Sequence, residues 1–300
     1  FFFKQKTAYE IKECDWSSDV CSSDLEYFQK FDYVICDEVH QAQAKALSDI
    51  VTKCTNAKYR IGVTGTLSGA KAHEWVLMGL FGSIYRATTS AELMEKKQLA
   101  ELTIKCLLLK YSEEECSYMK HASYQEEIEY IIANKARNKF ICNLALSLEG
   151  NTLLLFNYVE KHGTVLYDML NKSVKDGRKV FFIHGGTDVE DREEIRRILE
   201  KETNAILVGS VGVLSTGTNI VALSNIIFAS PSKSKIRNLQ SIGRGLRVSD
   251  TKQSATLFDL ADDFSWKKRE NFTLKHFFER LKTYTEEKFK FKLYKIQIKD

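Results

Sequence analysis

No stretch of the 300-residue sequence is apolar for long enough to span a bilayer, so a membrane-crossing helix is not expected and a soluble protein is. The loop GxxxxGK[ST], which cradles nucleotide phosphates, occurs nowhere. The seven cysteines include no CxxC pair and none with a histidine at zinc-ligand spacing. They read as thiols of a reducing compartment and not as a metal site or disulfide framework. Internal repeats and low-complexity tracts are absent, and the net charge of +4 is modest for the length. What remains is an ordinary globular composition, 44% apolar, with a length suited to one or two domains.

The opening FFFKQKTAYEIKECDWSSDVCSSDL has neither a helical nor a strand period, and its polarity does not suit a signal peptide. Written back into codons, Lys4 to Ile11 and Asp15 to Leu25 resemble the two fixed arms of a short-read sequencing adapter, in order and in one frame. Residues 1–25 are therefore expected to be a translated adapter that packs on nothing with family-specific shape and carries no site, with the protein starting near Glu26. They hold three lysines against five acids, so the rest of the chain is more basic than the whole. Residues 267–300 alone hold eleven Lys/Arg against five acids, which points to an acidic partner such as nucleic acid.

Apolar runs at Phe31–Cys36 and Tyr59–Val63 predict strands, with helices at Ala42–Lys53 and Glu74–Leu80. Leu102–Tyr111 reads as a strand and the polar stretch 113–123 as a linker. Tyr124–Leu148 is helical in period, in one piece or two. Thereafter strands at Thr152–Phe156, Lys179–His184, Ala205–Val208, Asn225–Ala229 and Ala255–Leu260 alternate with helices, the pattern of a parallel α/β sheet. A basic helix at Arg269–Glu287 and a strand at Phe289–Ile298 close the chain.

Two stretches carry the chemistry. Asp37-Glu38-Val39-His40 ends an apolar strand, where open α/β sheets bind ligands. Adjacent acids there suit a nucleotide site, or equally an ordinary solvated strand end. Gln240-Ser-Ile-Gly-Arg244-Gly-Leu-Arg247 sets two arginines three residues apart, matching phosphate oxygens or forming a plain basic helix face. Between them lie Thr64-Gly65-Thr66 and the run Ser210 to Asn219, both ordinary turn chemistry when taken singly.

Taken in order, DEVH, TGT, NTLLLFNYV, STGTN and QSIGRGLR resemble motifs II to VI of the superfamily-two DExH helicases over residues 26–260, with LFGSIY, ARNKFI and GVLSTGTNI resembling the T-even-phage UvsW recombination and branch-migration helicase family. The resemblance implies an α/β fold: a tandem RecA-like core with a truncated first domain at 26–112 and a complete second domain at 124–265, followed by a basic extension at 266–300. It implies an ATP-dependent helicase acting on branched or forked DNA or on RNA–DNA hybrids. The expected protein is a monomer in the cytoplasm of a bacterial or phage-infected cell, without membrane contact.

By resemblance, Asp37 holds Mg²⁺ through water, Glu38 activates the attacking water, and His40 pairs with Gln240. Thr64 and Thr66 couple hydrolysis to motion, Gly217 and Asn219 border the ATP, and Arg244 and Arg247 face its phosphates. Ser210 and Thr216 touch the nucleic-acid backbone, and Lys288, Lys290 and Lys292 are the tail's candidates for the same contact. Asn219 stands where many relatives carry an acid. With no phosphate loop in the 300 residues, the chain alone is expected to be inactive, and a missing strand is expected between the DEVH and TGT strands. A restriction-system translocase subunit and a non-enzymatic nucleic-acid-binding fragment are the alternatives.

Overall fold

A computed structural model describes residues 2–3, 25–37, 39, 45–64, 71–85, 87–88, 90–96, 101–175, 177–214, 223–231 and 254–299. They form two compact units, dividing between Ala87 and Thr88.

The first unit is a three-stranded parallel sheet with helices. In chain order it comprises β1 (Phe2–Phe3), α1 (Leu25–Phe28), β2 (Tyr33–Asp37), α2 (Lys45–Lys53), β3 (Tyr59–Val63) and α3 (Lys71–Phe81). The strand order is β1-β2-β3. One expectation fails here. β2 and β3 pair directly, from Tyr33 opposite Tyr59 to Asp37 opposite Val63, so no strand is missing between them. Phe2 and Phe3, inside the segment read as adapter, pair with Ile35 and Cys36. An edge strand offers open N–H and C=O groups that any short apolar segment can satisfy, which is why such a segment docks there.

Period-two alternation sorts the side chains of this sheet. Val34 joins Phe28, Ile50, Val51 and Cys54 in one small core, and Cys36 joins Val39 and Leu77 in another. Tyr33, Tyr59, Ile61 and Val63 on the other face are each roughly half exposed. The rings of Tyr33 and Tyr59 stack with centroids 5.1 Å apart.

The second unit contains α4 (Ser90–Glu95), β4 (Glu101–Lys110), α5 (Glu113–Met119), α6 (Tyr124–Ala133), α7 (Lys135–Ser147), β5 (Thr152–Phe156), a π-helical turn (Val159–Gly163) and α8 (Thr164–Ser173). It continues with β6 (Val180–Ile183), α9 (Val189–Lys201), β7 (Ile206–Ser210), α10 (Val211–Leu214), β8 (Asn225–Phe228), β9 (Ser254–Asp263), α11 (Phe272–Glu286) and β10 (Lys290–Gln297). Seven strands form one sheet, ordered β10-β4-β9-β8-β5-β7-β6, and every pairing is parallel. The buried strands TLLLF, ILVGS and NIIF are the near-continuous apolar runs that a sheet covered on both faces demands. One core holds Ile104, Leu153, Leu207 and Phe277, and the other Leu109, Ile141, Leu154 and Val208.

The expected domain boundary moves. The stretch 113–123, read as a linker, contains α5, whose N-terminus is closed by a capping box between Ser112 and Glu115. β4 lies between β10 and β9 and so belongs to the second sheet, although it precedes that stretch in sequence. The basic tail is likewise no appendage, because β10 pairs with β4 over eight residues.

β9 anchors both faces through two buried ionic clusters. Arg280 grips Asp259 through Nε at 2.8 Å and Nη2 at 3.0 Å, and Tyr284 donates to the same carboxylate at 2.9 Å. On the opposite face Arg137 grips Asp262 at 2.7 and 3.1 Å, joined by Tyr111 at 2.7 Å. Burial pulls each arginine's pKa down, but the facing aspartate outweighs it, so both stay above the ordinary guanidinium value. Burial, then the same aspartates, push both tyrosines well above theirs.

Candidate nucleotide and nucleic-acid site

In the first unit, the carboxyl end of the sheet gathers two of the candidate residues. Asp37 is the last residue of β2 and is exposed. Thr64 follows Val63, which is Asp37's partner across the ladder, so the two sit on adjacent strand ends. Val39 is buried against Cys36 and Leu77, pinning the chain on the far side of Glu38. Glu38, His40 and Thr66 lie outside the described residues.

In the second unit, β6 and β7 lie on one side of β5 while β8 and β9 lie on the other. Such a switch in strand order opens a crevice at the carboxyl ends. A polar chain of side chains fills the floor between β5 and β8. Asn157 N–H donates to Ser230 Oγ at 3.1 Å, and Ser230 Oγ meets His162 Nδ1 at 2.8 Å. His162 Nε2 meets Asn138 Oδ1 at 3.2 Å, and Asn138 Nδ2 donates to the Ile132 carbonyl at 2.9 Å. Because the amide of Asn138 is oriented by that last bond, its Oδ1 accepts, so His162 carries a proton on Nε2. His162 is fully buried in the π-helical turn. The turn presses so closely on β5 that a Cβ at Gly163 would stand 2.5 Å from the Phe156 ring, which requires glycine there. His162, Ser230 and Asn138 escaped the sequence reading. The FNYVEKHG stretch held the signal, but nothing local shows that its histidine meets residues 24 and 68 positions away.

Ser210 is buried at the end of β7, opposite Phe156, and so shares this carboxyl end. Thr216, Gly217, Asn219, Gln240, Arg244 and Arg247 lie outside the described residues. The structure does not bring Lys288, Lys290 and Lys292 to Ser210. They stand at the amino end of β10, five strand spacings from β7, or roughly 24 Å across the sheet. Lys290 is engaged by Glu101 at 2.8 Å, a hydrogen bond that raises its pKa and lowers that of the acid. Lys288 has φ of 58° because it is a helix stop: its N–H bonds Thr285 O and that of Phe289 bonds Tyr284 O.

Two further residues unforeseen from sequence close the ends of helices. Glu127 is 2% exposed and accepts from the backbone N–H groups of Phe272 and Thr273 at 2.9 and 2.7 Å, capping α11 from another helix. Arg178 caps α7 through the carbonyls of Ala145 and Leu146. Among the described residues no group of three potential metal-binding side chains occurs, and no helix is long and apolar enough to cross a membrane.

The family model "Helicase conserved C-terminal domain" matches residues 134–249, and "Type III restriction enzyme, res subunit" matches residues 10–69. The ATP-dependent DNA helicase uvsW of Enterobacteria phage T4 is 34% identical over 279 residues, covering 89% of this chain and 55% of that protein. A putative ATP-dependent RNA helicase, L396, of Acanthamoeba polyphaga mimivirus is 26% identical, covering 86% of this chain and 48% of that protein. The chain spans about half the length of these relatives. The crystal structure of T4 UvsW superposes with a TM-score of 0.59 at 30% identity, covering 99% of this chain and 62% of that one. With an all-parallel second sheet and Asp37 at the carboxyl end of β2, the chain resembles the superfamily-two helicases and is similar to phage T4 UvsW.

Proposed function

We propose that the chain forms part of an ATP-driven helicase or translocase that remodels branched or forked DNA or RNA–DNA hybrids, working as a monomer in the cytoplasm of its host cell. The observation that carries this reading is the juxtaposition of Asp37 and Thr64 on adjacent strand ends, in a chain 34% identical to an ATP-dependent DNA helicase. Mg²⁺ with a nucleotide takes one or two carboxylates, the remaining ligands being water and phosphate oxygens. A single exposed aspartate at a strand end fits that demand without a larger cluster. Asp37 would hold the ion through water, and the ion would neutralise phosphate charge. Glu38 would orient and deprotonate the attacking water. His40 would pair with Gln240, while Arg244 and Arg247 would face the phosphates. Thr64 and Thr66 would couple hydrolysis to motion, and Gly217 and Asn219 would border the nucleotide, with Ser210 and Thr216 on the nucleic-acid strand. The tail lysines Lys288, Lys290 and Lys292 are the weakest members of this set, given their place in the sheet.

The 300 residues contain no GxxxxGK[ST], so the test supplies one. Joined to a phosphate-loop segment, the chain should hydrolyse ATP faster in the presence of forked DNA. Glu38→Gln in that protein should lower kcat by a factor of about 10² to 10⁴ while sparing ATP binding. An unchanged kcat would overturn the assignment. A restriction-system translocase would share the motor but not unwind forks by itself, and a purely binding fragment would show no ATPase at all.

A further inference from the structure

The chain leaves β9 at Asp263 and enters α11 at Phe272 through a tight reversal. Trp266 and Arg269 exchange both backbone hydrogen bonds at 3.0 Å, closing a hairpin with only Lys267 and Lys268 at its tip. Lys267 has φ of 53°, a left-handed conformation that such two-residue turns ordinarily give to glycine. Unlike Lys288, it stops no helix. Both tip lysines are exposed, and among the described residues neither takes part in an ion pair.

The base of the turn is held firmly. Trp266 packs on the second core, and Arg269 donates to the Ala122 carbonyl at 3.3 Å. Asn271 bonds Glu127 at 2.8 Å and the Asp262 carbonyl at 3.0 Å. Two cations are thus presented from a braced support, with their side chains uncommitted. The turn follows the carboxyl end of β9, on the rim that also carries Ser210. β9 is three strand spacings from β7, or roughly 14 Å.

We propose that the Lys267–Lys268 turn contacts the phosphodiester backbone of a nucleic-acid strand lying over the carboxyl rim of the second sheet. The proposal rests on the nucleic-acid motor reading and moves the tail's contact from β10 to this turn. Lysine presents a point charge without base readout, so the contact is sequence-independent.

The test is a salt titration of the 300-residue chain on a fluorescent single-stranded DNA, followed by anisotropy. Each phosphate neutralised on a single strand adds about 0.7 to the slope of log K against log salt. Lys267→Gln/Lys268→Gln should therefore flatten the slope by about 1.4, alike on different sequences. Lys172→Gln/Lys175→Gln, a charge-matched pair at the exposed end of α8, should leave it unchanged. Lys267→Gly separates charge from shape: it relieves the left-handed backbone, so Tm should hold or rise while the slope falls by about 0.7. Equal slopes for wild type and the Lys267/Lys268 double variant would overturn the proposal and leave the motor reading standing. Displacement of the DNA by a polyglutamate with an unchanged DNA slope would assign the turn to an acidic polypeptide and overturn it likewise. Absence of DNA binding by wild type at every salt concentration would remove the motor reading and the proposal together.

Discussion

The two units are both built on parallel strands, yet they treat their sheets differently. The seven-stranded sheet of the second unit is covered on both faces, with separate cores above and below. Among the described residues the sheet of the first unit packs its cores on one face, and Tyr33, Tyr59, Ile61 and Val63 stand out from the other. Parallel strands are stable almost only when both faces are buried. The stacked Tyr33–Tyr59 pair reduces the exposed area without replacing a layer. Stability should therefore be divided unequally, with the second unit holding the fold.

The sharpest way to test that division is to cut the chain. Residues 88–300 should unfold in one cooperative transition, seen by urea titration of the circular dichroism. A fragment starting at residue 120 removes β4 from between β10 and β9, leaving two long strands without their shared neighbour. It should show no cooperative transition. If the shorter fragment unfolded as cooperatively as 88–300, the place of β4 in the second unit would be wrong.

That result would also bear on what was readable in the sequence. β3 matched its apolar run end to end, and the alternation after residue 150 led directly to a parallel sheet. The stretch 113–123 reads as a linker only by its polarity. Ser112 and Glu115 spelled a capping box, and Cys116 and Met119, three apart, supplied a buried face. The sheet to which β4 belongs was not legible, because crossover connections leave strand order in space independent of order in sequence. The tail's basic charge is legible as a quantity, but its place in the fold is not. Its alternating residues said that β10 is a strand, but only the ladder with β4 shows which end of the sheet its lysines occupy. Glu127, Arg137 and Arg280 were hidden for a related reason. A charged residue inside a helical period looks like a solvated face until its partner, 125 positions away for Arg137, is known.

The next largest effect should come from those buried charges. Arg280→Met leaves Asp259 uncompensated in the core, and breaking a buried pair from one side costs about 3–5 kcal/mol. Arg137→Met should behave similarly against Asp262, and both losses should appear as lower urea midpoints of the 88–300 transition. In the first unit the comparable pair, Lys58 and Asp32, is 3.6 Å apart with both side chains largely exposed. Lys58→Ala should leave that unit's unfolding unchanged, since exposed pairs are screened and poorly fixed. A loss for Lys58→Ala as large as for Arg280→Met would mean that the units are closer in build than their faces suggest.

The mildest probe is the reactivity of the thiols, which sit in both units. Cys36 and Cys54 belong to the first, and burial raises the pKa of each from its ordinary value, for Cys36 with added repulsion from Asp37. In the second unit burial pushes Cys106 and Cys142 up to about 12, with Asp259 adding to the effect on Cys106. The thiolate is the reactive form, so at pH 8 only about one part in 10⁴ of these two thiols is available even where reagent can reach them. Iodoacetamide should therefore modify Cys36 and Cys54 first, through opening of the less protected sheet, while Cys106 and Cys142 wait for global unfolding. A folded-state pKa above the unfolded one means that the neutral thiol is favoured in the fold. The stability contributed by Cys106 and Cys142 is then complete below about pH 9 and is lost as pH rises from there toward 12. Raising the pH from 8 to 10 should thus destabilise the 88–300 transition, by on the order of 1 kcal/mol for each of the two thiols. Cys142→Ala should remove one such increment from the difference between the two pH values while lowering the midpoint at both. Simultaneous labelling of all five described cysteines at pH 8 would show that the second unit opens as readily as the first, and the contrast between one covered face and two would carry no energetic weight.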